Sequence, residues 1–228
     1  AKNAGLDPVP LIGGEVRNIG GNFLSGKGKY FIAEACEYDR SFLDMYPEIA
    51  VITNIEEDHL DYYKDIRDIM VSFEKFVRHI PREGLLVISA DDQNACRVAR
   101  AAKCHVVGYG FSARSKQHDI FNTYWEIEEV QQNSGETVFA INNDDIVAHF
   151  RLRIPGKHNV SNACAAFIVS NHLGVNTLVV QNTFDEFIGA HRRFEIKGKR
   201  GDVIVVDDDG HHPTEIHATL EGVKKFYQ

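Results

Sequence analysis

The sequence predicts an α/β protein: a mostly parallel sheet flanked by helices, with an antiparallel β meander. Three observations carry that prediction. Between residues 29 and 112, short apolar, β-branched runs alternate with helix-period segments, the rhythm of βαβ units. Residues 119 to 154 change to alternating apolar and polar residues around polar turns, the pattern of antiparallel strands. A last apolar run, "DVIVVDDDG", leads into a proline-opened helical segment. This reads as the first βα unit of a truncated, Rossmann-like C-terminal domain. The expected boundaries are 1–194 for a central domain and 195–228 for that beginning.

Taken in order, "KYFIAEA" and "EIAVITNI" are runs of the buried parallel-strand type, and between them "SFLDMYP" is a helical turn stopped by Pro47. Ile66, Ile69, Met70, Phe73, Phe76, Val77 and Ile80 recur at three- and four-residue steps, so an amphipathic helix is expected there, ended by Pro81. "GLLVISADD" reads as a strand, "QNACRVARAA" as a helix and "HVVGYG" as another strand. The meander is assigned to "IFNTYWEIEEV", "ETVFAI" and "IVAHFRLRI". Two helices follow, "GKHNVSNACAAFIVSNHLG" and "NTLVVQNTFDEFIG", each closed by glycine.

Composition narrows the function classes. With 43% hydrophobic residues among 228, the chain has material for a core, and no run is long enough to span a bilayer. A net charge of −8 argues against a nucleic-acid surface and leaves small phosphorylated ligands open. The start "AKNAGLDPVP" lacks a secretion signal and an initiating Met, so a cytoplasmic location and a longer parent polypeptide are expected. Cys36, Cys96, Cys104 and Cys164 form no CxxC pair and read as reduced core thiols.

"GNFLSGKG" matches G-x-x-x-x-G-K from Gly21 to Lys27, but it is followed by a strand rather than a helix, and Gly28 stands where a metal-binding hydroxyl belongs. A glycine-rich surface hairpin is the expected structure.

Four stretches are candidates for chemistry. Glu34 lies near the end of "KYFIAEA" and His59 just past "EIAVITNI", inside the acidic burst Glu56, Glu57, Asp58, His59, Asp61. If those two strands are neighbours, the side chains converge on one crevice and suit a divalent cation. Pairing of Glu34 with an arginine, with His59 capping a helix, fits the same spacing. "PGKHNVSNA" sets His158, Asn159 and Asn162 at a helix start, where the asparagines suit either an adenine edge or capping. "HRRFE" places Arg193 where a fork-shaped guanidinium can meet phosphate. "VVDDDGHHPTE" collects Asp208, Asp209, His211, His212 and Glu215 in one loop after an apolar strand.

In this order, "AEACEYDRSFL", "VITNIEEDHLDYY", "IPGKHNVSNA", "HRRFE" and "DDDGHHPTE" resemble the Mur ligases, nearest to their alanine-adding branch, over almost the whole chain. The resemblance implies an ATP-dependent amide ligase of cell-wall synthesis with Mg²⁺, UDP-N-acetylmuramate and L-alanine as its small-molecule partners. It implies Glu34 and His59 as metal ligands, and His158, Asn159 and Asn162 along the adenine pocket. Arg193 is then at nucleotide phosphate, Asp208 at the nucleotide and His211 facing the substrates, with His59, Arg193 and His211 the groups at the reaction.

Cys36, Tyr38 and Asp209 depart from the family's usual Asp, Ser and Tyr. The family's phosphate-binding loop is expected upstream of Ala1, so these 228 residues alone are expected to be inactive. A murein-tripeptide-recycling ligase and a non-catalytic nucleotide-binding module are the alternatives. A metal-dependent hydrolase lacks its H-E-x-x-H signature.

Overall fold

The structure, a computed structural model, describes residues 1–111, 119–133 and 135–226. It departs from expectation first at its beginning. β1 (Val9–Val16), β2 (Gly21–Phe23) and β3 (Phe31–Ala33) form a small sheet of their own in the order β2-β1-β3. β3 is the "KYFIAEA" run, predicted as the first strand of the main sheet. It pairs parallel with β1 instead, Val9 opposite Phe31 and Leu11 opposite Ala33. The physical reason lies in its surface: Phe31 is 65% and Ile32 45% exposed, so this apolar run is not one of a buried sheet's strands. The glycine-rich Gly21–Lys27 stretch opens as the return strand of the β1–β2 hairpin, with Val16 opposite Gly21. Beyond it Gly28 lies against the backbone of Leu6, so closely that a β-carbon there would sit 1.9 Å from the Leu6 carbonyl oxygen.

A 3-10 segment, Tyr38–Asp44, replaces the "SFLDMYP" turn and leads to β4 (Ile49–Ile52). α1 (Ile66–Arg78) is the expected amphipathic helix; Asp65 caps it by accepting from the amides of Arg67 and Asp68. β5 (Leu85–Ser89), α2 (Gln93–Ala99), capped by Asp92, and β6 (His105–Gly110) complete the βαβ rhythm. β7 (Thr123–Asn133), β8 (Glu136–Asn142) and β9 (Val147–Leu152) are the meander. They are not a separate layer. β7 pairs parallel with β6, and β8 and β9 follow antiparallel, giving one six-stranded sheet in the order β4-β5-β6-β7-β8-β9.

α3 (Lys157–His172) and α4 (Thr177–Asp185) lie on one face of this sheet, α1 and α2 on the other. Each face has its own core. Trp125, Phe139, Phe150, Val160, Cys164 and Phe167 belong to the first; Phe42, Ile69, Phe76, Val77, Cys96 and Val98 to the second. No helix among the described residues is long and apolar enough to cross a membrane.

The final strand also differs from expectation. The sequence pattern assigns no strand between "HRRFE" and this run, but β11 (Val203–Asp207) pairs antiparallel with β10 (Glu195–Arg200) there. α5 (Pro213–Phe226) then packs against α3 and β7. Its Gly222 meets Gly156 at the start of α3, where a β-carbon would lie 3.2 Å from backbone atoms. Gly156 itself has φ +99°, and a β-carbon there would meet the His158 ring at 2.4 Å. Two glycines thus let the C-terminal helix close on the segment that carries His158.

Phe167 is fully buried, edge-on to Trp125 at 5.3 Å and 4.8 Å from the Phe150 ring centroid. Phe167→Ala is expected to destabilise the protein by about 3–5 kcal/mol, read as a lower midpoint in urea denaturation.

Candidate functional site

The carboxyl ends of β4, β5 and β6 face one edge of the sheet, and the loop after β4 holds the acidic burst. Ile55 anchors that loop at 2% exposure, and Asn94 at the start of α2 donates to its carbonyl at 2.9 Å. The chain then turns through His59, which has φ +54°, a left-handed conformation uncommon outside glycine. The turn is held from both sides: the His59 amide donates to its neighbour's Asp58 carboxylate at 2.7 Å, and the His59 carbonyl accepts from Tyr62 and Tyr63.

The loop after β3 meets it. Asp39 and Arg40 are also left-handed. Arg40 is fixed by Asp68 at 2.6 Å and Ser72 at 3.1 Å on α1, with its guanidinium 5.4 Å from the rings of both Tyr62 and Tyr63. The buried Tyr63 donates its hydroxyl to the Glu37 carbonyl at 2.5 Å. These contacts set Glu37 and Tyr38 beside His59. The Glu37 carboxylate lies 3.9 Å from Nε2, Asp58 lies 3.9 Å from Nδ1, and the Tyr38 ring stands edge-on at 5.1 Å. Among the described residues, Glu37, Asp58 and His59 are the side chains that converge with metal-ligand spacing, their ligand atoms within 4.8 Å of one another.

Glu34 does not share a sheet edge with His59. β3 and β4 belong to separate sheets, so convergence of two adjacent strand ends in one sheet does not occur. The Glu34 carboxylate accepts from the Gly13 amide of β1 at 2.8 Å. No sequence signal marked Glu37 over Glu34, because both sit in the same acidic stretch and the contacts that separate them, Glu34 to Gly13 and Glu37 to Tyr63 and His59, are made in space. Tyr38 was visible only as an unusual residue at its position.

The second group of candidates gathers around the starts of α3 and α5. Asn159 donates to the Pro155 carbonyl at 2.6 Å, while Asn162 is exposed one turn away. α3 has no side-chain cap at its first residue. His158 keeps solvent-accessible surface, yet the protein atoms crowded around its ring strip enough water to hold its pKa below 6.5. Arg193 adds to that depression, and Asp208 and Glu215 oppose it, which sets all four in one electrostatic neighbourhood.

Arg193 pairs with Glu215 at 3.3 Å. Asp208 is a structural hub: one oxygen accepts from the Phe194 amide at 2.8 Å, the other from the Gly210 amide at 3.0 Å. Asp209, at a position where an aromatic was expected, forms an ion pair with Arg192. Glu195 accepts from the Arg192 amide and is flanked by Lys197 at 3.0 Å and His191 at 3.3 Å, which together hold its carboxyl down to about 2.

The two groups meet through the loop before α5. His212 Nδ1 lies 3.3 Å from Glu56, and His211 feels the Asp58 charge. His211 has its pKa raised above 6.5, first by its contact with the Asp209 carbonyl at 3.1 Å and then by Glu215. The arrangement therefore offers carboxylates and an imidazole for a hard cation, an uncapped helix start, and a guanidinium for an anionic group.

The Mur ligase middle domain family model matches residues 17–170. The UDP-N-acetylmuramate–L-alanine ligase of Caldanaerobacter subterraneus subsp. tengcongensis is 44% identical over 225 residues, 98% of this chain and 47% of that protein. The ligase of the same name from Clostridium acetobutylicum is 44% identical over 224 residues, covering 97% of this chain and 47% of that one. The crystal structure of a UDP-N-acetylmuramate-alanine ligase from Thermotoga maritima is similar with a TM-score of 0.80 at 26% identity, over 99% of this chain and 49% of that chain. The chain spans about half the length of the curated relatives it matches.

A raised His211 pKa means that the folded state favours the imidazolium. The stability this contributes is fully present below 6.5 and is lost as pH rises through the folded value. Titration followed by the His211 ring-proton shift is expected to give a midpoint above 6.5, and Glu215→Gln is expected to lower it. Glu195 has the opposite sign. Its depressed pKa contributes stability above 4.5 that is lost as pH falls toward about 2, and its carboxyl shift is expected to titrate near 2.

Proposed function

The chain belongs to the Mur ligase family, and on that basis we propose that it is the central part of an ATP-dependent ligase of cell-wall synthesis joining L-alanine to UDP-N-acetylmuramate in the cytoplasm. The observation that carries the substrate assignment is the 44% identity to L-alanine ligases across 98% of the chain. The tripeptide-recycling alternative is not favoured by those relatives.

In this reading the γ-phosphoryl group of ATP passes to the lactyl carboxylate of UDP-N-acetylmuramate. The L-alanine amine attacks the resulting acyl phosphate, and phosphate leaves as the amide forms. The residues divide the work by charge. His158, Asn159 and Asn162 at the start of α3 take the adenine, where a neutral His158 exchanges hydrogen bonds without bringing a charge against the base. Arg193 exchanges Glu215 for nucleotide phosphate, which it can grip with two parallel N–H groups. Asp208 fixes the loop against the nucleotide and presents His211 to the substrates.

His59, with Glu37 and Asp58 beside it, is the proposed holder of Mg²⁺. Glu34 is proposed to join them by giving up its bond to the Gly13 amide. The donor set fits a hard cation through its oxygens, and the remaining positions suit water and phosphate oxygen. When bound, Mg²⁺ neutralises phosphate charge in the transition state. The protein's own part is to orient: the left-handed turn at His59, which engages one Asp58 oxygen, and the Arg40 clamp on α1 hold the acidic loop in place.

The test uses the polypeptide that carries this chain at its relatives' full length. Given ATP, Mg²⁺, UDP-N-acetylmuramate and L-alanine, it is expected to release phosphate in step with amide formation. His59→Ala or Glu34→Ala is expected to lower kcat ~100-fold. Phosphate release that ignores L-alanine, or full turnover by both variants, overturns the reading.

A further inference from the structure

We propose that Glu56 and His212 form a latch that positions the His211 loop over the His59 loop. Neither residue has a part in the chemistry proposed above. Glu56 belongs to the loop after β4, three residues before His59, and His212 to the loop that opens α5. Their side chains meet at 3.3 Å across a sequence separation that spans nearly the whole central sheet. Both are about two-thirds covered, with side-chain exposures of 34% and 30%, which sets this pair apart from ion pairs on the open surface.

Each partner is held rigidly on its own side. Glu56 follows the buried Ile55, whose carbonyl is tied to Asn94. On the other side Glu215 accepts from the amides of His211 and His212 at 3.3 and 3.5 Å and pairs with Arg193. The Asp209 amide donates to the Arg192 carbonyl at 2.7 Å. A single contact between two stiff loops transmits position, because neither side has slack to absorb its loss. With it made, the loop carrying His211 stays within the field of Asp58, and Arg193 stays beside His158.

The contact also involves a choice. His212 Nδ1 lies 3.4 Å from the Thr214 amide, which only an unprotonated nitrogen can accept. A proton on Nδ1 donates instead to Glu56, a charge-assisted contact stronger than the long amide bond it displaces. Glu56 and the Thr214 amide therefore compete for the same ring nitrogen, Glu56 being the nearer by 3.3 against 3.4 Å.

The kinetic half of this inference rests on the ligase reading, and the structural half does not. Amide hydrogen exchange of the chain itself tests the structural half, with α1 amides as the control for folding. Glu56→Ala and His212→Ala are each expected to speed exchange at Asp209 to His212 about fivefold, with the double variant no faster than either single. Glu56→Gln, which still accepts a hydrogen bond, is expected to recover part of the protection. Wild-type exchange in both single variants, or additive effects in the double, overturns the latch.

In the full-length polypeptide, Glu56→Ala is expected to lower kcat about fivefold with the KM for ATP within twofold of wild type, the signature of misplacement rather than lost binding. Unchanged kcat in a variant that exchanges faster overturns the positioning role. A wild-type polypeptide that makes no alanine amide overturns the ligase reading, and the exchange result then judges the latch on its own.

Discussion

Leu85, Leu86, Val87 and Ile88 are each at most 1% exposed, and their side chains alternate between the two faces of the sheet. Leu85 and Val87 enter the core under α3 and α4, while Leu86 and Ile88 enter the core under α1 and α2. One short strand therefore joins both cores, and everything else is arranged around keeping water from it. Burying a strand on both faces requires helices on both faces, and parallel strands then return through those helices. The consequence is positional. Loops with polar residues are expelled to the strand ends, and the acidic loop after β4 emerges at the same edge as the segment before α2.

The site is built from loops, but they are not loose. Three left-handed residues, Asp39, Arg40 and His59, bend the chain where a glycine would do so more cheaply, and neighbours hold Arg40 and His59. Arg40 is the clearest case, with two hydrogen-bonding partners on α1 and two tyrosine rings. Strain at His59 is sustained because its amide, carbonyl and ring are all engaged. The same economy governs the C-terminal unit, where Asp208 satisfies two backbone amides and Glu215 two more. Such loops present functional groups in fixed directions without a ligand to order them, which reduces the entropy lost on binding.

Charge is distributed between the two groups in a complementary way. The loop after β4 is acidic, and the residues that approach it from the C-terminal unit are His211 and His212. Arg193 is kept behind them beside Glu215, and His158 is held toward its neutral form by crowding. A site arranged like this separates an acidic side from a side that carries the histidines and Arg193.

The order of strands and helices from β4 onward was legible in sequence, because periodicity records which faces are buried: α1 lies where Ile66 to Ile80 recur, and the meander lies where alternation begins. The residues of the candidate site were legible as types, since Glu34, His59, His158, Arg193 and Asp208 stand out by chemistry and spacing. Which of them meet was not. β3 has the composition of a buried strand but pairs with β1 in an exposed sheet, and β11 finds β10 as its partner. Hydrogen bonding between strands carries no side-chain signature, so pairing had to be decided in space. For the same reason Glu37 is the glutamate found beside His59, and Glu56 meets His212: contacts between distant loops, and two glycines that let α5 approach α3, set distances that no local pattern encodes.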